Sequence, residues 1–356
     1  TNMKRLFTAV ALACALLLIP NLNAQIIKGD MNADSKVDVS DLNECIDIIL
    51  GNSPTKYVKG NYVVNSIVAG TWTLSQSDKY IFNTNGTTTY PGAATYKYVP
   101  QKSLLFMFDG SGQLTEVFNV TSVDKYILSI KPFGTDTTIN LFKDSQDMSG
   151  KDAQGREYVD LLLPSGTLWA ACNVGASSPE GFGLYFEWGV TRGYAANESH
   201  RFDWFNYPLC TYDADWTFIL HKYVTNAWFG TVDHKTTLEP IDDAATANWG
   251  SEWRMPTAAE LEELCNPLYT TYSEASVNGV PGFKITSKRN GKSLFFPFAG
   301  RREYDSINYV GTSGYYWSSN ISNSNMGATA MQNDVYYSTI DRYIGQSVRP
   351  VRRAKK

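Results

Sequence analysis

The chain has 356 residues, a formal net charge of −4, and 43% hydrophobic against 19% charged residues. That composition allows two or three packed domains and excludes wholesale disorder. An acidic balance without a basic stripe speaks against a nucleic-acid partner, because nothing would neutralise phosphates. The 22 Tyr, 17 Phe and 9 Trp favour strands over helices, so the expected fold class is α+β, mostly β.

Lys4 and Arg5 precede an apolar run from Leu6 to Ile19, and Leu22-Asn23-Ala24 offers a cleavage site before Gln25. This is the pattern of a secretory signal, assigned to residues 3–24. The run is shorter than the roughly 18 residues that cross a bilayer. The remainder is therefore expected to be exported, either extracellular or held at the cell surface. Cys14 lies in the signal, which leaves Cys45, Cys172, Cys210 and Cys265. They are widely spaced and contain no Cys-x-x-Cys, which points to buried thiols or one structural bridge and not to zinc or redox chemistry.

Residues 25–52 begin with an oxygen-rich loop. Asp30, Asn32, Asp34, Asp38 and Asp41 fall at its positions one, three, five, nine and twelve, and Lys36 supplies its backbone carbonyl at seven. Calcium takes roughly six to eight hard oxygen ligands, and this spacing wraps them around one point. Val39, Leu42, Ile46 and Ile49 then share one face of a helix that Gly51 ends. The segment resembles a single dockerin repeat, with Asp41 where an EF-hand has Glu and Ser35 where it has Gly. The resemblance implies calcium as cofactor and a cohesin-like partner. With one repeat only, folding and docking of this segment is the expected task of the metal.

Beyond the polar link Ser53 to Gly60, residues 66–143 change to short alternating segments. Gly70-Thr-Trp-Thr-Leu74 opens them. Tyr80-Ile-Phe82 and Thr87-Thr-Thr-Tyr90 flank the hairpin signal Asn85-Gly86. Alternation continues through Leu114 to Val120 and Tyr126 to Ile130, giving about eight short strands. A Gly-x-Trp opening on such a meander resembles the lipocalin-like domains of secreted bacterial proteins. So short a barrel is expected to be filled by its own side chains and to act as a spacer.

A polar linker from Asp144 to Asp152 leads into residues 154–352. Thr257 and Glu260 form a capping box at a helix start. Phe283 to Thr286 and Ser293 to Phe296 read as strands joined near Asn290-Gly291. Gly181-Phe-Gly-Leu-Tyr-Phe-Glu-Trp-Gly189 reads as a twisted core strand whose glycines let backbones pass closely. Four ordered blocks stand out: Val159-Asp-Leu-x-Leu-Pro-Ser-Gly-Thr-Leu-Trp-Ala-x-Cys-Asn-Val-Gly-Ala176, Trp253-Arg-Met-Pro-Thr257, Tyr315-Tyr-Trp-Ser-Ser319 and Ser347-Val-Arg-Pro-Val351. They resemble the Fibrobacter major paralogous domain, a family similar in fold to formylglycine-generating enzymes and C-type lectins. The resemblance implies a fold that joins its first and last strands and leaves long loops on one side.

Residues 301–348 are dense in Tyr, Asn and Ser, the mixture by which antibody loops combine rigid contact area with adaptable hydrogen bonding. Candidate ligand-binding residues are Tyr309, Asn320, Asn323, Asn325, Tyr336, Tyr337, Asp341 and Tyr343, whereas Tyr315, Tyr316 and Trp317 are assigned to the core. The stretch resembles the variable region of retroelement-diversified target proteins, which share a C-type-lectin-like fold. Catalysis is not expected. No cysteine follows Cys265, so the cysteine pair of formylglycine-generating enzymes has no counterpart. His200, His221 and His234 lie in no metal-spaced motif, and no Gly-x-Ser-x-Gly elbow marks a serine nucleophile. The expectation is an adhesin-like, secreted or surface binding protein with a protein or glycan ligand. Protein is preferred, because the loops lack a compact Glu-Pro-Asn or Trp-Asn-Asp calcium set. The alternatives are a glycan-binding lectin or, less favoured, an oxidoreductase of the formylglycine-generating type.

Overall fold

The computed structural model describes residues 64–74, 78–333 and 335–353, with the side chains of 101 and 335–338 left aside. The expected secretory signal and the expected calcium set Asp30, Asn32, Asp34, Lys36, Asp38 and Asp41 lie outside the described residues. The chain is mostly β and divides into two compact units, Thr1–Asp144 and Ser145–Lys356. No helix among the described residues is long and apolar enough to cross a membrane.

The first unit is a closed ring of strands. β1 (Gly70–Thr73), β2 (Lys79–Phe82), β3 (Thr95–Val99), β4 (Leu104–Phe108), β5 (Leu114–Val123), β6 (Ile127–Pro132) and β7 (Ile139–Lys143) pair in the order β2-β1-β7-β6-β5-β4-β3. Two single bridges, Phe82↔Thr88 and Thr87↔Thr95, join the outer members β2 and β3. The predicted strand at Thr87 to Tyr90 is thus a two-residue link, yet it closes the circle and removes both edges. Trp72, Phe82, Tyr96, Leu105, Met107, Phe118, Leu128 and Leu141 are buried together as its core. On β4 the alternate residues Leu104 and Phe106 join a separate cluster with Val99 and Val117, as the two-residue strand period requires.

The Gly-x-Trp opening has a steric cause. Gly70 adopts φ +147, and a Cβ there would lie 1.7 Å from Lys143 Nζ. That ammonium donates to the Ala69 carbonyl at 3.0 Å and rests 4.6 Å from the Trp72 ring centroid, a cation–π contact that only glycine at position 70 leaves room for.

The second unit holds β8 (Gly150–Lys151), β9 (Glu157–Asp160), β10 (Thr167–Ala170), β11 (Cys210–Tyr212) and β12 (Phe218–Leu220). Two helices follow, α1 (Ala244–Trp249) and α2 (Ala258–Cys265). Then come β13 (Thr270–Val277), β14 (Val280–Ser287), β15 (Ser293–Pro297), β16 (Arg301–Glu303), β17 (Ser306–Asn308), β18 (Tyr315–Ile321), β19 (Gly327–Gln332), β20 (Val335–Asp341) and β21 (Val351–Arg353). The last strand pairs antiparallel with β10 in the sheet β21-β10-β9-β8. Hairpin sheets β13-β14-β15 and β18-β19-β20 pack around it. Asn290-Gly291 joins β14 to β15, and Ser287 N donates to Lys292 O at 2.8 Å across that turn. Sequence patterning missed β13, although Asn278-Gly279 carries the same turn signal, with φ +50 and +82. Its outer residues are mostly exposed, so no apolar run marks it.

The stretch from Gly181 to Gly189 departs from expectation. Tyr185, Phe186 and Trp188 are fully buried, but they form only isolated bridges, Tyr185↔Tyr194 and Phe186↔Gln346, and no continuous strand. Positive φ at Gly183 and Gly189 breaks the extended backbone on either side.

The four sequence blocks prove to be the fastenings of this unit. Arg349 is fully buried. Its guanidinium donates to Asn173 Oδ1 at 2.9 Å, to the carbonyls of Ala170 and Ala171 at 3.2 and 3.1 Å, and to that of Phe295 at 2.9 Å. It also covers the Phe296 ring at 4.3 Å. Glu260 completes the expected capping box with Thr257. It accepts from Arg254 at 2.7 and 2.5 Å and from the Thr167 hydroxyl at 2.6 Å. Burial alone would push this carboxyl up, but those donors bring it down to about 2. Tyr315, Tyr316 and Trp317 lie in the core, as assigned. No disulfide joins Cys172, Cys210 and Cys265.

Candidate binding surface

A hairpin tip in the second unit presents tryptophan to solvent. Asp213 Oδ1 accepts from the backbone N–H of Asp215 at 2.9 Å and of Thr217 at 2.8 Å. These bonds, the one from Thr217 foremost, hold the Asp213 carboxyl below its usual range. They also fix the link between β11 and β12, where Trp216 adopts φ +60 and is 73% exposed. A bulky residue with positive φ stores strain that a random loop would release.

From this tip a chain of aromatic rings crosses the unit. Phe205, 69% exposed, meets Trp216 at 6.4 Å and stacks on Tyr212 at 4.8 Å. Tyr212 meets Phe218 at 5.9 Å, Phe218 meets Trp204 at 4.8 Å, and Trp204 meets Tyr343 at 5.1 Å. Tyr304, 49% exposed, ends the series 6.4 Å from Tyr343. Arg201 covers the Tyr304 ring at 5.2 Å and is bound by Asp203 at 2.6 Å and by Asp305. Asp203 in turn accepts from Asn206 N at 3.0 Å and Nδ2 at 2.8 Å, which holds the loop that carries Trp204 and Phe205. Burying a side chain of this size is worth roughly 1.5–3 kcal/mol. Two such side chains left in water, side by side, form an exposed apolar patch.

The predicted ligand residues fall into separate places. Tyr343 is 6% exposed and forms the inner anchor of the ring series. Tyr309 is 52% exposed and belongs to another group, 5.5 Å beneath Arg301 and 5.9 Å from Tyr315. Asn320 and Asn325 serve the fold. Asn320 accepts from Ala258 N at 2.8 Å at the start of α2 and donates to the Thr237 hydroxyl at 2.8 Å. Asn325 is buried, accepts from Thr225 N at 2.6 Å and donates to the Thr225 hydroxyl at 3.0 Å. Both amides thus bond to other segments of this unit. Asn323 is exposed between β18 and β19. Asp341 is half-buried, and burial, then Glu303, raises its carboxyl. Tyr336 and Tyr337 pair through their backbones with Met331 and Ala330, and their side chains lie outside the described set. Sequence reasoning missed Trp204, Phe205, Tyr212, Trp216, Phe218 and Tyr304 as a surface. The available signal was the aromatic density of Phe202-Asp-Trp-Phe-Asn-Tyr207 and the Asp-Ala-Asp-Trp turn.

A second titratable group is closed to solvent. Glu187 is 1% exposed, with Oε1 3.5 Å from His200 Nε2. Neither carboxylate oxygen has a hydrogen-bond partner. Burial, then Asp203, pushes this carboxyl up to about 9. Burial, then Arg302, pushes His200 down, and Tyr194 stacks on its ring at 3.8 Å. Both groups are therefore neutral near pH 7, and this pair is a packed interior contact and not an ion pair. Comparison with protein families, curated proteins and solved structures finds no match for this chain.

Proposed function

We propose that this chain is an exported or cell-surface, adhesin-like binding protein and not an enzyme, and that the aromatic series from Trp216 to Tyr304 takes a protein ligand. The second unit is, on this reading, a C-type-lectin-like major paralogous domain, and the first a lipocalin-like spacer whose interior is filled. The N-terminal loop at Asp30 to Asp41 binds calcium to order its own segment, with a cohesin-like partner as its alternative use. The observation that carries the proposal is the pairing of two exposed rings, Phe205 on a loop held by Asp203 and Trp216 on a hairpin tip held by Asp213. A sugar chain laid flat needs rings in a common plane. Here Phe205 and Trp216 are inclined by 73° and Tyr212 and Trp216 by 54°, which gives an uneven surface suited to protein side chains. The exposed Asp213, Asp215 and Asp305 around it favour a partner with a basic rim. Resemblance of residues 301–348 to diversified target proteins adds Tyr304 and Tyr309 as positions where isolates would differ.

The test uses binders selected from a displayed library of extracellular protein fragments on the full chain. Interface hot spots cost about 2 kcal/mol or more each when truncated. Phe205→Ala with Trp216→Ala should therefore weaken the selected binders at least about a hundredfold, with an unchanged circular dichroism spectrum. Binders indifferent to both substitutions would remove this surface from the ligand site.

A further inference from the structure

The first unit closes its sheet, but the second leaves a long strand open. β13 is the outer member of the sheet β13-β14-β15. Its hairpin with β14 turns through Asn278-Gly279, so the closing pair Val277↔Val280 is bonded and bonded pairs alternate from there. In β14, Ser287 N donates to Lys292 O, and Pro281 O accepts from Phe298 N. Odd-numbered residues of β14 thus bond toward β15. Their partners on β13, Glu274 and Ser276 among them, turn N–H and C=O groups away from the sheet. Neither of these two backbones enters a further hydrogen bond among the described residues. Ser273, Glu274 and Ser276 are exposed. The hairpin tip is fixed by Asn278 Nδ2, which donates to Glu180 Oε1 at 2.8 Å.

An open edge invites any strand, and proteins restrict it with a charge set on the core-facing side. Glu274 is that charge. It stands opposite Phe283, which is fully buried, on the face that it shares with Tyr272. It makes no ion pair among the described residues. A strand laid beside it must bring a cation or half-bury an unpaired carboxylate. β13 contains no Lys or Arg. A second copy paired edge to edge about a twofold axis would set two Glu274 carboxylates opposite or diagonal to each other, where like charges repel.

We infer that β13 takes an extended segment of another protein as an added strand, with a Lys or Arg of that segment beside Glu274. The outward N–H and C=O groups of Glu274 and Ser276 supply the backbone bonds, and the Glu274 carboxylate supplies the choice of partner. The chain's net charge of −4 favours the same basic segment. This edge stands independently of the aromatic surface proposed above.

The test selects short random displayed peptides on the full chain carrying Phe205→Ala and Trp216→Ala, so that the aromatic surface takes no part. Selected peptides should share a Lys or Arg at one position and slow hydrogen exchange at the Glu274 and Ser276 amides. Glu274→Lys should weaken them at least about tenfold and turn a fresh selection toward Asp or Glu at that position. Ser276→Pro removes an outward N–H and spares the ladder with β14, and should also weaken them at least about tenfold. Ser276→Ala, which keeps the N–H, should bind like the parent. Glu274 is exposed, so its substitution leaves the fold intact and decides the matter alone where Ser276→Pro lowers the melting temperature. The inference is overturned by no selected peptide binding below about 1 mM, by peptides indifferent to Glu274→Lys, or by unprotected Glu274 and Ser276 amides. A dimer of the full chain that protects those amides would overturn it too, with a second copy as the occupant.

Discussion

Replacing Glu187 by Gln should stabilise the protein in alkaline solution. In the folded chain this carboxyl keeps its proton to about 9, against an ordinary value of 4.5. Between those values the unfolded chain has released a proton that the folded chain retains, so folding loses stability as pH rises. The slope is about 1.4 kcal/mol per pH unit. From pH 6.5 to 8.5 the parent should lose about 3 kcal/mol that the Gln variant keeps. The window begins at 6.5 because His200 has a depressed value, so its contribution is complete above the ordinary histidine range and falls away only on acidification. In a unit of this size about 3 kcal/mol corresponds to about 6–12 °C in melting temperature. Differential scanning calorimetry of both proteins across that window measures it. A melting difference that does not grow with pH would refute the argument. So would a parent that gains stability relative to the variant, since that would require Glu187 to be ionised and paired with a charged His200.

Three further outcomes follow, two from the geometry and one from the oxygen spacing of the N-terminal loop. Glu260 is held at about 2, so its contribution is complete above pH 4.5 and is lost as pH falls toward 2. Glu260→Gln should cost up to about 3 kcal/mol at pH 7, a gap in urea midpoints that narrows steadily on acidification. Arg349→Met should lower stability by at least about 3 kcal/mol, because it leaves four buried oxygens without their donor. A melting temperature within 2 °C of the parent, or about 1 kcal/mol or less, would mean that those oxygens find other partners. Asp30→Ala should weaken calcium binding of the full chain at least about tenfold by isothermal titration; an unchanged affinity removes Asp30 from the ligand set.

Local chemistry was legible in the sequence. The capping box of Thr257 and Glu260, the Asn85-Gly86 and Asn290-Gly291 turns and the buried Tyr315-Tyr-Trp317 run each depend on neighbours within a few residues, and each is present. The same local view did not foresee the internal bonds of Asn320 and Asn325. Composition records an amide but not its direction, and both amides face loops from around residues 225 and 237 that fold back onto them. The mostly β class likewise followed from aromatic content and alternation, while β13 escaped because its half-exposed strand has no apolar run.

Tertiary structure alone decided the rest. Closure of the first barrel hangs on two single bridges through Thr87 and Thr88, a length of pairing too short to leave a sequence pattern. The ring series gathers Phe205, Trp216, Tyr304 and Tyr343 from segments up to 138 residues apart, from Phe205 to Tyr343. The residues of long irregular loops have no period, so their exposure is set by contacts that form only once the chain has folded. The amino-acid order specified which side chains this protein carries and where its turns and caps lie. Packing then determined which rings went inward to hold Arg349 and which stayed exposed.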